Sequence, residues 1–261
     1  MPCRRSTKRY GSSDRNGRLV DAASIVAMPS GRASLRFEKR GTGIVVPVRL
    51  YGPTRELSAK MLFDTGATLT TITPEALGKL GLFSSASDAT IITRTANGRV
   101  RRSVTVIDGV SLGKAARVGG GVAVVLCEPC GSGEVIGLLG LNVSRHFRVT
   151  LDHDAGEMTL EAKRPDPGHL FDIRPFVKFG SSRGLVRGPK MTITGSLQNL
   201  APRALSDVRI EAKVSGGRSP ATLWTVLPHV APRSRVPLSI EGLLPTGAGR
   251  TYSLSITRGG W

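Results

Sequence analysis

From residue 43 onward the apolar positions fall in short runs, many alternating with polar ones, and turn formers break them. Ile44-Val45-Val46-Pro47-Val48-Arg49-Leu50-Tyr51 is rich in β-branched residues and stops at Gly52-Pro53, which predicts a strand and a turn. Leu57 to Phe63 predicts a second strand, running into Asp64-Thr65-Gly66-Ala67. Pro74 to Gly81 carries the one clear helix signal: Thr73 can cap it, Pro74 suits its first turn and Gly81 its stop. Ala89–Thr95 and Arg99–Ile107 flank Asn97-Gly98, a hairpin signal because both residues tolerate positive φ. Further β-rich runs cover 110–112, 116–118 and 122–126. Val135-Ile136-Gly137-Leu138-Leu139-Gly140 is a second apolar run closing on Gly, and a short helical turn is expected over 142–147. Val149–Asp152 and Glu157–Glu161 form another hairpin around Ala155-Gly156.

The character changes after Lys163-Arg164-Pro165-Asp166-Pro167-Gly168. Strand-like runs at 191–197, 208–214, 221–227, 235–240 and 251–257 alternate with turn clusters and carry no helix signal, as in a small β-sandwich. The expected organisation is a basic, flexible arm over 1–40, with a first strand beginning where Leu35 and Phe37 alternate with Arg36 and Glu38, a β-barrel with one short helix over 41–162, a linker over 163–170 and a sandwich-like domain over 171–261. The fold class is all-β.

Charge refines this division. The net charge of +18 is carried mostly by the flanks: +7 over residues 1–40, +2 over 41–170 and +9 over 171–261. Basic flanks suit an anionic polymer or surface as well as plain solvation. Aromatic residues are not interleaved with the basic ones, which argues against a platform for single-stranded nucleic acid. No apolar run reaches the ~18–20 residues of a membrane span, and the basic start is followed by no clean apolar segment, so the expected location is the cytoplasm unless an export signal precedes the given start.

Candidate chemistry is sparse. Cys127-Glu128-Pro129-Cys130 is a lone C-x-x-C in a loop; a structural zinc site needs four ligands, so a local disulfide or free thiols is expected. His146, His153, His169 and His229 lack metal-ligand spacing. Neither a metal nor a cofactor is expected. Gly119-Gly120-Gly121 has no Lys-Ser/Thr after it and is not a phosphate loop.

Asp64 remains. An apolar strand that ends on a carboxylate, with Gly close behind, sets that carboxylate on a tight loop beside a buried layer. In order, the Ile44–Leu50 strand, Phe63-Asp64-Thr65-Gly66-Ala67, Thr95-Ala96-Asn97-Gly98-Arg99, Gly137-Leu138-Leu139-Gly140 and the Val149–Leu160 hairpin resemble the retropepsin-like aspartic proteases, single-lobe relatives of pepsin. The resemblance covers about residues 41–162. It implies a single-lobe acid-protease barrel that hydrolyses peptide bonds in peptide or protein substrates. Asp64 would be catalytic, with Thr65 locking two loops together and Gly66 bringing its N–H to the carboxylate; Ala67 completes the loop. Ala96, Asn97, Gly98 and Arg99 would form the flap over bound peptide, where Arg99, Arg101 and Arg102 either favour acidic substrate residues or are solvated. Leu138, Leu139 and Gly140 would pack behind the Asp loop as support.

The chain holds one Asp-Thr-Gly and no second Asp-Thr/Ser-Gly. Two carboxylates sharing a proton are needed to activate water and protonate the leaving amine. The resemblance therefore implies a homodimer in which Asp64 meets its symmetry mate. Non-catalytic binding or dimerisation, and anionic-polymer binding by the basic C-terminal segment, are the competing readings. Leu141 stands where the retroviral pattern has an Arg that braces the dimer, and Gly98 alone lies at a hairpin tip that is Gly-rich in the viral enzymes.

Overall fold

The computed structural model describes residues 12–13, 19–20, 32–83, 89–95, 98–114, 116–128, 133–163 and 173–261. Two-residue strands β1 (Ser12–Ser13) and β2 (Leu19–Val20) pair with each other. Next come β3 (Arg32–Arg36), β4 (Glu38–Arg40), β5 (Gly43–Tyr51), β6 (Glu56–Phe63), β7 (Thr70–Ile72), α1 (Pro74–Lys79), β8 (Ala89–Thr95), β9 (Gly98–Leu112), β10 (Ala116–Leu126), β11 (Val135–Leu139), α2 (Leu141–Ser144), β12 (Phe147–Asp152) and β13 (Glu157–Ala162). An eight-stranded sheet runs β4-β5-β6-β11-β7-β10-β9-β8, and an extra β5–β9 pairing bends it back on itself. A smaller sheet, β12-β13-β3, packs beside it.

The strand expected to begin near Leu35 starts three residues earlier, so that 32–36 and 38–40, at the end of the expected flexible arm, are strands. Ala33, Leu35 and Phe37 are buried while Arg32, Ser34 and Arg36 face outward, the period-2 pattern of a half-buried strand. β3 lies along β13, with Leu35 opposite Met158 and Ala33 opposite Leu160. The separate runs expected at 99–107 and 110–112 are one 15-residue strand, and those at 116–118 and 122–126 form one strand of 11. A register shift between Gly119 and Val122 absorbs the glycine run. α1 begins as expected, with the Thr73 hydroxyl accepting from Ala76 N–H at 3.3 Å. A second helix, α2, holds just four residues and starts one residue before the expected helical turn. No helix among the described residues is long and apolar enough to cross a membrane.

A second hydrophobic core lies between the two C-terminal sheets. One sheet joins β14 (Val177–Phe179), β15 (Arg183–Arg187), β16 (Lys190–Asn199) and β19 (Arg235–Leu243); the other runs β18 (Ala221–Val230), β17 (Leu205–Ser215), β20 (Thr251–Gly260). β14 and β15 gave no clear sequence signal: the first has three residues, and the second sets Leu185 and Val186 among Arg183, Gly184 and Arg187.

The barrel and the sandwich meet through a third buried cluster. Val104, Val106, Ala123 and Val125 on β9 and β10 pack with Phe176 and Ala201. The Phe176 and Trp261 rings meet edge-on at 5.5 Å. Trp261 covers Gly121, where a Cβ would come within 2.8 Å of the indole ring. Arg203 Nη1 and Asp108 Oδ1 clamp the rim of this seam at 2.6 Å.

On the barrel, Lys60 of β6 reaches Glu38 of β4 and Glu134 just before β11, each at 2.7 Å. The hydrogen bond from Lys60 holds both carboxylates below their usual 4.5. Bonds to Glu134 and Glu38 lift Lys60 above 10.5. The depressed carboxylates add stability above 4.5 and lose it as pH falls through their lower folded values; the raised lysine adds stability below 10.5 and loses it as pH rises through its higher folded value. The network therefore acts across neutral pH and fails in acid. Since all three groups are solvent-accessible, its effect is small. Lys60→Met is expected to lower Tm slightly at neutral pH, the difference closing as pH falls well below 4.5. Thermal melts over a pH series check this, and a gap that stays constant into acid would contradict it.

Candidate active site

Asp64 follows the last residue of β6, whose parallel neighbour β11 sets Leu138 beside Leu62 and Leu139 beside Phe63. The loop turns at once. Asp64 N–H donates to the Leu139 carbonyl at 3.1 Å, Gly66 N–H donates to Asp64 Oδ1 at 2.8 Å and Ala67 N–H to the Asp64 carbonyl at 3.4 Å. One carboxylate oxygen is thus held by the chain's own backbone. Asp64 and Ala67 are half-buried; Thr65 and Gly66 are exposed. The Thr65 hydroxyl has no hydrogen bond among the described residues.

Behind the loop lies a buried polar residue whose role sequence reasoning missed. Asn142 is fully buried, and its Oδ1 accepts from both the Thr70 N–H (2.8 Å) and the Thr70 hydroxyl (2.9 Å). Its amide donates to the Ala123 carbonyl on β10 at 2.9 Å. The Thr70 hydroxyl in turn accepts from Gly140 N–H at 3.2 Å. Leu141 N–H and Asn142 N–H hold the carbonyls of Ala67 and Thr68 at 2.8 and 3.1 Å. The start of α2 therefore grips the far end of the Asp64 loop, while Leu139 holds its near end. An Asn after Leu-Gly-Leu was visible in the chain, but only the fold brings Thr70 and Ala123 to it.

The three expected support residues divide. Leu139 is fully buried and supplies the carbonyl that anchors Asp64. Gly140 lies so close to β7 that a Cβ would sit 2.6 Å from the Leu69 carbonyl carbon. Leu138, expected behind the loop, instead lines the cleft in front of it, because successive residues of a strand point to opposite faces.

That cleft has a volume of about 1080 Å³. It is lined by Asp64, Gly66, Ala67, Thr68, Leu69 and Thr71, with Val125, Cys127 and Leu138, and by Ile91, Ile92, Thr93 and Arg94 of β8 and Arg102 of β9. Arg174 and Pro175 complete the lining. The β8–β9 hairpin is present in the expected place, with Thr95 opposite Gly98, whose φ is +115°. Ala96 and Asn97, between them, lie outside the described residues. Arg99 and Arg101 do not line the cleft; Arg102 does. Cys127 is disulfide-bonded; Cys130 and Cys3 lie outside the described residues.

Replacing Asn142 by Ala removes the acceptor of both the Thr70 N–H and the Thr70 hydroxyl in a buried site. Each such group costs about 1–3 kcal/mol, so Asn142→Ala is expected to lower unfolding stability by roughly 2–4 kcal/mol in urea denaturation. A loss below about 1 kcal/mol would show that the loop does not depend on this residue.

Residues 46–143 match a family model described as aspartyl protease. A solved structure of a retropepsin-like aspartic protease from Rickettsia conorii is similar over 50% of this chain and 91% of that one, at 21% identity and a TM-score of 0.37. No curated protein matches. The matched stretch holds the Asp-Thr-Gly loop, the β8–β9 hairpin and the Gly-closed strand beside the loop, so it is in this part of the barrel that the chain is similar to the aspartyl proteases.

Proposed function

We propose that the chain is an aspartic endopeptidase active as a homodimer, each copy supplying one Asp64 carboxylate. One observation carries this reading: Asp64, on its tightly held loop, is the one carboxylate among the described residues that line the cleft of about 1080 Å³. Its loop is rigidly held from behind and open in front. A lone carboxylate can take a proton from water but cannot also return one to the leaving amine. A second Asp64 across a two-fold axis supplies the missing acid, since two adjacent carboxylates retain one proton between them. The ionised member takes a proton from water as the water oxygen attacks the peptide carbonyl carbon. The protonated member donates to the carbonyl oxygen. Proton return to nitrogen then lets the C–N bond break, giving a carboxylic acid and an amine. The exposed, unbonded Thr65 hydroxyl is suited to bonding across the two loops. The β8–β9 hairpin, including Ala96, Asn97, Gly98 and Arg99, acts as the lid, and the sandwich packs on the catalytic barrel through the buried seam.

Asp64→Asn is expected to reduce cleavage of a peptide library by roughly 10³-fold or more, with an unchanged circular-dichroism spectrum and Tm. Specific activity of the parent is expected to rise with protein concentration until the dimer saturates and to peak at mildly acidic pH. A variant that cleaves as the parent does, or specific activity constant across dilution into the monomer range, would refute the reading.

A further inference from the structure

We propose that the C-terminal sandwich unit supplies one wall of the Asp64 cleft, and that Arg174 in this wall, together with Arg94 and Arg102, selects peptides bearing an acidic side chain. The inference rests on the peptidase reading for its substrate class and adds a residue outside the stretch that matches the protease family.

Arg174 is fixed in place by its neighbours. Ile173 before it is fully buried in the sandwich core, and Phe176, two residues on, is buried in the seam. Arg174–Phe176 forms a 3-10 turn, with Pro175 restricting the backbone. Leu200 N–H donates to the Phe176 carbonyl at 2.7 Å, tying this turn to the strand connection that carries Ala201. Arg174 is thus exposed on a backbone anchored on both sides, at the mouth of the cleft that holds Asp64. One of its nitrogens makes a long contact of 3.5 Å to the Ile256 carbonyl, leaving further guanidinium donors to face the cleft.

The charge inventory of the cleft points to the ligand. Its lining carries Arg94, Arg102 and Arg174 against the single carboxylate of Asp64. None of these arginines has a carboxylate within 4.0 Å among the described residues. On the hairpin the imbalance is sharper, for Arg94 stands directly opposite Arg99. Like charges facing each other across an antiparallel pair are destabilising, and an incoming anionic group relieves them. Leu69, Ile91 and Ile92 supply apolar contact around the charged rim. An extended peptide with one Asp or Glu among apolar residues matches this lining in shape and sign, and guanidinium groups bind carboxylates with two parallel donors.

The test uses fluorescein-labelled octapeptide pools, identical except for Glu or Gln fixed at one scanned position, titrated into the full-length Asp64→Asn protein by fluorescence anisotropy. At one or more positions the Glu pool is expected to bind roughly tenfold tighter than the Gln pool. Arg174→Gln should cut that ratio by about threefold or more, and Arg102→Gln likewise, while the exposed Arg218→Gln leaves it unchanged. Equal affinity for the two pools overturns the proposal. So does a ratio that falls as much with Arg218→Gln as with Arg174→Gln, because overall charge would then explain it. Competition by duplex DNA as strong as that of unlabelled Glu peptide overturns it too, marking a non-specific anionic surface. Cleavage of the same pools by the unsubstituted protein is scored separately: no cleavage beside Arg174-dependent Glu binding sinks the peptidase reading and leaves the acidic-ligand site standing, whereas cleavage without Glu preference does the reverse.

Discussion

The site depends on a single buried amide. Asn142 holds Thr70 through its oxygen and Ala123 through its nitrogen, and the backbone beside it holds Ala67 and Thr68. A three-residue strand such as β7 has little pairing energy of its own. Pinned by Asn142 and by Gly140 pressed against it, it becomes a rigid continuation of the Asp64 loop. Buried polar networks of this kind cost little when every donor and acceptor is matched and a great deal when one is left over. The orientation of the carboxylate is therefore set by backbone donors and by the packing behind its loop.

Most strands were legible because one face of each is buried. Val46, Val48 and Leu50 alternate with exposed partners on β5, and Met191, Ile193 and Leu197 mark the buried face of β16. The Asp64 loop was legible for a different reason: Asp-Thr-Gly behind an apolar run is a local arrangement, complete within a few residues. Features built from distant parts were not. β3 has a clear alternation, but the basic, Gly- and Ser-rich chain before it masked where order begins. The role of Asn142 needs Thr70 and Ala123 brought to it by two separate strands. The different duties of Leu138 and Leu139 needed only strand geometry, yet that geometry separates them only once the face bearing the cleft is known.

The seam between barrel and sandwich was wholly illegible. Its members are small or ordinary apolar residues scattered from Ala89 to Trp261, and none stands out in its own segment. Trp261 is one more C-terminal aromatic until Gly121, more than a hundred positions earlier, is seen to lie beneath it. The same seam buries Phe176 and so anchors the turn that carries Arg174 beside the cleft.

The seam also has a bearing on what constitutes a unit in this protein. Val104, Val106, Ala123 and Val125 are all within 5% exposed, and Phe176, Ala201 and Trp261 are among the residues that cover them. The stretch that matches the protease family, residues 46–143, contains these four residues but none of those covers, and it lacks β3, β12 and β13 as well. Excised at those limits, the lobe would turn a contiguous apolar face to water, the kind of surface that drives self-association. Homology boundaries and folding boundaries do not coincide in this chain: the lobe that matches the protease family owes its closed surface to its appendage.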